Sequence, residues 1–176
     1  MEFVEIEKNE WVLKEPDSEL AFHDIIALLY DEPAIVVEEL IEFAEKYPQH
    51  IDALHHLGIA YELIEQPQLA YLFCQAAVSL GLQALPEKFN WSSANIDWGH
   101  LSNRPFIRAY HALGLHYLKM QLMQEATTIF ERLVSVCPND NIGARYELII
   151  CYVQLKDTKN INKLCQRYPD EDLYEG

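Results

Sequence analysis

The sequence predicts an all-α fold, an α-α superhelix of about four antiparallel helical hairpins stacked side by side. Three observations predict it. Apolar residues recur three and four apart in successive windows, the period of an amphipathic helix. Glycines number only six in 176 residues, and β-branched alternation is scarce. One spaced pattern of small and large residues occurs twice along the chain.

The helical windows come in pairs. Leu54, Leu57, Ile59, Ala60, Tyr61 and Leu63 are followed by Leu69, Ala70, Leu72, Phe73, Ala76, Ala77 and Leu80. Tyr110, Leu113, Gly114, Tyr117 and Leu118 are followed by Ala126, Ile129, Phe130, Leu133 and Val134. Each window spans about 12–16 residues and the links are short, so each pair reads as a hairpin. These are units 50–83 and 105–138. Residues 17–48 read as a degenerate hairpin. Leu20, Ile25, Ile26, Leu28 and Leu29 fall in its first helix, and Val37, Leu40, Ile41 and Ala44 in its second. Pro33 and Pro67 each follow a helix-like run, and each suits the first turn of a second helix, where a missing N–H costs little. Residues 141–168 form a degenerate capping hairpin. Lys46-Tyr47-Pro48 and Arg167-Tyr168-Pro169 would each close a second helix. Residues 1–16 form an N-terminal segment and 169–176 a tail, all within a single domain.

The repeated pattern has a packing logic. Leu54-x-x-Leu57-Gly58-x-x-Tyr61, then Ala70 and Ala77, recurs as Tyr110-x-x-Leu113-Gly114-x-x-Tyr117, then Ala126, Phe130 and Pro138. Gly58 and Gly114 suit a close helix crossing, with Ala70 and Ala126 facing them. Tyr61, Tyr117 and Phe130 suit the seam to the next hairpin, and Pro138 ends a hydrogen-bond ladder. The pattern resembles the tetratricopeptide repeat (TPR), a helical hairpin of about 34 residues. The interval from Pro33 to Pro67 matches that length. The first copy departs from the family at Cys74, where an aromatic is preferred, and at Gly81-Leu82, where proline is preferred. The spacing of the two copies exceeds one repeat by roughly 22 residues, an insertion over 84–104 that carries Trp91 and Trp98. A loop of this length is often functional. It would serve as a lid or added contact, or be pinned over the stack by its tryptophans. Trp98-Gly99, Asn103-Arg104-Pro105-Phe106-x-Arg108 and Pro138-Asn139-Asp140-Asn141-x-Gly143-x-Arg145 resemble a pattern in a subset of bacterial TPR proteins of unsettled function. They are also similar to the helical region of the eukaryotic suppression-of-tumorigenicity family.

Composition narrows the class of work. The net charge is −15, and residues 1–50 hold 14 acidic residues against 3 basic ones. Such a field repels phosphate backbones and anionic membrane surfaces, so no nucleic-acid partner is expected. The acidic third is either a solvated face or a segment that docks on a basic surface. No apolar run reaches the roughly 18–20 residues of a membrane span, so no membrane insertion is expected. The start of the chain lacks a basic and apolar leader, and Cys74, Cys137, Cys151 and Cys165 form no CxxC pair. A cytoplasmic protein with reduced thiols is the expectation.

No constellation points to catalysis. His55 and His56 are adjacent, hence about 100° apart on a helix. His111 and His116 are five apart, where helical zinc motifs use four. Cys74 and Cys151 fall on faces that should be buried. No glycine-rich phosphate loop occurs. The expectation is a non-enzymatic protein, with no metal and no cofactor.

A binding surface remains. In the TPR family the first helices line a concave groove. The resemblance therefore implies groove positions at Asp52, His55, His56, Ile59 and Glu62, then Arg108, His111, Leu115 and Lys119, then Arg145, with Arg104 at the rim. Arg108 and Arg145 would bond carboxylates of a peptide, or hold Asp140 and loop carbonyls to organise the fold. His55 and Ile59 stand where carboxylate-clamp TPR domains supply Lys and Asn, so a chaperone-tail clamp is not expected. The leading reading is a protein-protein interaction module that takes a peptide or protein segment in the groove. The alternatives are a self-associating scaffold, hence a homo-oligomer, and a small acidic cytosolic secretion or assembly chaperone.

Overall fold

The computed structural model describes residues 1–14 and 20–169. The start of the 17–48 unit and nearly all of the 169–176 tail lie outside the described residues. The leading elements are strands β1 (Glu2–Glu7) and β2 (Glu10–Lys14), then helices α1 (Leu20–Ala27) and α2 (Pro33–Lys46). Next come α3 (Ile51–Leu63), α4 (Pro67–Gln83), α5 (Arg104–Lys119) and α6 (Met123–Val136), then α7 (Ala144–Gln154) and α8 (Thr158–Arg167). A 3-10 turn, Leu101–Asn103, leads into α5. The helices pair in sequence as α1/α2, α3/α4, α5/α6 and α7/α8, and successive hairpins stack into a TPR-like superhelix.

Local chemistry sets the ends. Pro33, Pro67 and Pro105 sit in the first turns of α2, α4 and α5, where no intrahelical N–H is needed. Tyr47, Cys137 and Tyr168 each precede a proline and leave the helical region in the same way, at φ −125°, −124° and −125°. A residue before proline is driven from helical backbone, so α2, α6 and α8 stop there. Three hairpin turns are near copies. Glu65, Gln121 and Lys156 are left-handed, at φ 59°, 60° and 58°. The following N–H groups reach back to Tyr61, Tyr117 and Tyr152 carbonyls at 2.8, 2.9 and 2.9 Å, the Schellman closure, here without glycine.

The N-terminal segment adds two short strands to the helical stack. Residues 2–14 form an antiparallel hairpin, with Phe3 opposite Leu13 and Glu5 opposite Trp11. Phe3, Trp11 and Leu13 are buried. The hairpin leans on the insertion. Phe3 N–H donates to the Ala84 carbonyl at 3.0 Å, Trp11 N–H to Asn95 at 2.8 Å, and Asn95 N–H to Asn9 at 2.7 Å. Buried Asn103 ties the joint. Its side chain accepts from Leu13 N–H at 2.8 Å and donates to the Trp11 and Asp97 carbonyls at 3.0 Å each.

Two apolar clusters fill the stack. One joins α1, α2 and α3 around Phe22, Leu40 and Leu57. The other runs from the β-hairpin through α8 around Phe106, Tyr110 and Phe130. First helices pack directly on one another, α3 on α5 and α5 on α7, and no comparable packing joins the second helices α4 and α6 among the described residues. The first-helix layer is therefore the tighter, inner side of the curve.

Candidate protein-interaction face

The sequence placed its groove residues on α3, α5 and α7, and the inner layer brings most of them together in pairs. Arg108 Nη2 on α5 donates to both carboxylate oxygens of Asp52 on α3, at 2.8 Å each. His56 Nδ1 lies 2.7 Å from the Asp52 carbonyl oxygen and 3.4 Å from its carboxylate. Burial pushes the Asp52 carboxyl up, but His56 and Arg108 outweigh it and hold it below the usual carboxylate range. His55 is buried against His56, and burial takes its pKa down to about 3, so the ring is neutral. At the far end of the same seam Lys119 pairs with Glu62, both largely exposed. His111 Nε2 on α5 lies 3.4 Å from Glu147 Oε2 on α7, although the two make no hydrogen bond. Ile59 and Leu115 are half-buried and pack on the first and second clusters respectively.

The charges of this face are therefore largely spent on joining hairpin to hairpin. Asp52 and Arg108 hold the same place in the two copies of the repeat, each ahead of its Leu-Gly pair by the same interval. Equivalent positions on adjacent first helices are neighbours in space, and opposite charges there lock the register.

Arg145 is buried with Asp140. Its Nη1 donates to Asp140 Oδ2 at 3.1 Å, its backbone N–H to the same oxygen at 3.0 Å, and its guanidinium lies over the Tyr146 and Tyr168 rings. Gly143, at φ 80°, supplies the left-handed turn that starts α7 beside it. Arg104 Nε donates to the Trp98 carbonyl at 3.0 Å, and its guanidinium covers the Trp98 ring. Trp91 stacks on Tyr110, with ring centroids 5.4 Å apart, under the Arg132 guanidinium. Ile96 N–H donates to the Val136 carbonyl at 2.7 Å, which fastens the insertion to the end of α6.

Two contributors escaped the sequence reading. His50 caps α3 by accepting the Ala53 N–H on Nδ1 at 2.9 Å, and its ring packs on Phe22 and Phe43. Burial lowers its pKa. On α7, Tyr146, Ile150 and Val153 are 43%, 50% and 58% exposed. Their i, i+4, i+7 spacing makes one apolar stripe, opposite buried Leu148 and Tyr152. The helical period of 141–168 carried that stripe, but not which side of α7 is covered.

Among the described residues no group of three or more His, Cys, Asp or Glu side chains is arranged to hold a metal ion. Burial pushes the Cys74 thiol up to about 12, far from the thiolate a nucleophile needs. No described helix is long and apolar enough to cross a membrane.

Fold and face together define a class: a TPR-like stack of helical hairpins with an inner layer of first helices. Among solved structures, the crystal structure of MamA protein is similar to this chain, with a TM-score of 0.57 and 22% identity over 88% of this chain and 72% of that one. At that identity the likeness is one of fold. No family model and no curated protein matches the chain.

Proposed function

We propose that the chain is a non-enzymatic protein-protein interaction module that holds a peptide or protein segment along the inner layer of α3, α5 and α7. The observation that carries this reading is the exposed stripe Tyr146, Ile150 and Val153 on the last of those helices. Apolar side chains regularly spaced on a curved helical layer suit an extended or helical segment. Asp52, Arg108, Glu62 and Lys119 then act as the frame of the groove, and recognition falls to half-buried His56, Ile59 and Leu115 and to the stripe. Protein partners fit this surface, and nucleic acid does not, given the charge of −15.

Affinity capture from native lysate, read by mass spectrometry, tests the proposal. Ile150→Asp with Val153→Asp should remove the captured partner and leave the circular dichroism unchanged. Undiminished capture by that variant would take the stripe out of the site.

A further inference from the structure

The first hairpin presents a second surface, between α1 and α2. Asp24 and Ile25 on α1 face Glu39, Glu42, Phe43 and Lys46 on α2 across an open groove of about 500 Å³. Its floor is apolar, from Ile25 and Phe43, and its rim carries the carboxylates of Asp24, Glu39 and Glu42 with the single cation of Lys46. Elsewhere on the same hairpin Leu28 is 39%, Ile35 44% and Ile41 36% exposed.

The state of the charges separates this groove from the rest of the chain. Residues 20–46 hold seven carboxylates, Asp24, Asp31, Glu32, Glu38, Glu39, Glu42 and Glu45, against the one base Lys46. Among the described residues none of those seven takes part in an ion pair. Carboxylates at the joints elsewhere are matched: Glu5 with Lys88, Asp52 with Arg108, Glu62 with Lys119 and Asp140 with Arg145. Lys46 lies over the Tyr47 ring at 5.0 Å. Helix propensity alone does not ask for this. Carboxylates strung along the middle and end of α2 repel one another and oppose the helix dipole at its C-terminus.

We infer that the α1/α2 groove docks a cationic amphipathic segment of a partner protein, whose apolar face covers Ile25 and Phe43 and whose Lys or Arg side chains meet Asp24, Glu39 and Glu42. The groove supplies what such a segment lacks in water, an apolar wall bordered by unmatched negative charge. The apolar contact gives the affinity. The rim sets orientation and encounter rate, so binding weakens with salt. This site is separate from the inner layer of α3, α5 and α7 and stands or falls without it.

The probe is a fluorescein-labelled helical peptide of leucine and lysine with leucines on one face, compared with the same peptide carrying glutamate for lysine. Fluorescence anisotropy of the full chain should show binding of the lysine peptide, weakened by added salt, and none of the glutamate peptide. Glu39→Lys with Glu42→Lys should weaken binding about tenfold or more, a loss of about 1.4 kcal/mol or more. Glu7→Lys with Glu87→Lys makes the same change of net charge away from the groove and should change it by less than about threefold. Equal loss in both variants would reduce the effect to the overall field and overturn the site, as would unaltered binding by the groove variant. Hydrogen exchange of the unmodified chain reads the same question without a variant. Peptide-dependent protection within residues 22–46 supports the groove, and protection confined to other helices overturns it. Self-association at low salt without peptide, lost in the Glu39→Lys, Glu42→Lys variant, would give the groove to a second copy of the chain and overturn the occupant proposed here.

Discussion

At the crossing of α3 with α4, Gly58 brings two backbones together. At the crossing of α5 with α6, Gly114 makes room for a ring. A Cβ on Gly58 would stand 3.1 Å from the Ala70 carbonyl oxygen and 3.5 Å from the Cys74 nitrogen. A Cβ on Gly114 would stand 2.6 Å from two ring carbons of Phe130. Cys74 and Phe130 occupy the same place in the repeat, each at the same interval after its glycine. The same signature thus serves two packings. A small thiol lets helices α3 and α4 approach until main chain meets main chain, whereas an aromatic ring between α5 and α6 uses the volume the glycine leaves. The exits differ too. Pro138 stops α6 after 14 residues, while α4, with Gly81-Leu82 at that place, runs 17. Gly81 there accommodates the Phe106 ring, which a Cβ would strike.

The largest expected effect breaks this contrast directly. Gly114→Leu should destabilise the chain by about 3 kcal/mol, since the buried ring has nowhere to go. Phe130→Cys, which gives the later hairpin the earlier one's chemistry, should cost about 3 kcal/mol through the cavity it leaves. Gly114→Ala separates the two packings most sharply. Alone it should destabilise, but in the Phe130→Cys background it should be neutral or gain up to about 1 kcal/mol of helix propensity. A double-mutant cycle in urea, read by circular dichroism, measures this coupling. Additive effects would mean that Phe130 does not occupy the space above Gly114.

The two middle hairpins were legible because their information is local. Helices α3 and α4 run from Ile51 to Gln83 and α5 and α6 from Arg104 to Val136, beside the units 50–83 and 105–138 read from the sequence. Leu-Gly, alanine and proline at fixed spacing act on contacts within one hairpin. The β-hairpin was not read, although Phe3 and Glu5, then Trp11 and Leu13, alternate about Lys8-Asn9, and Asn9 takes φ 64°. Two strands alone are marginal. What holds them is Ala84, Asn95 and Asn103, distant in sequence, so the short motif had no visible partner. The groove charges were assigned to one face by the resemblance, and their engagement with one another needed the register. With the two copies of the repeat laid side by side, Asp52 beside Arg108 follows. His50 as a cap has no comparable signal, because histidine is an uncommon choice for that role.

The joint between those hairpins and the first one carries a pH dependence that sharpens the contrast further. His50 and His55 have folded pKa values below their ordinary value, through burial in both cases, that of His55 falling to about 3. Asp52, His56 and His23 act on His50, while His56, Asp52, Arg108 and His111 act on His55. A lowered histidine pKa means that the unfolded chain binds the proton more readily. Stability is therefore complete above pH about 6.5 and falls as the pH drops below it, by about 1.4 kcal/mol per pH unit for each proton. The lowered pKa of Asp52 adds to the loss only below the ordinary carboxylate range. Urea midpoints between neutral pH and pH 4 should decline, with His55 on the full slope throughout that range, and His55→Leu should flatten it. Hydrogen exchange at mild acidity should show α3 opening before α6. Simultaneous opening would mean that the histidines do not distinguish the two hairpins.

The smallest expected effect probes what the hairpins share. Glu65 and Gln121 close α3 and α5 in the same left-handed turn, each donating its N–H three residues back, to Glu62 and Leu118 at 3.1 and 2.9 Å. A side chain in that conformation costs about 1 kcal/mol that glycine avoids, offset in part by the greater freedom of glycine in the unfolded chain. Glu65→Gly and Gln121→Gly should therefore each raise stability by a similar amount, up to about 1 kcal/mol. Neither side chain takes part in an ion pair among the described residues, so the backbone alone decides the result. Equal gains would confine the difference between the hairpins to the glycine crossing and the exit from the second helix. Unequal gains would move part of it into the turn.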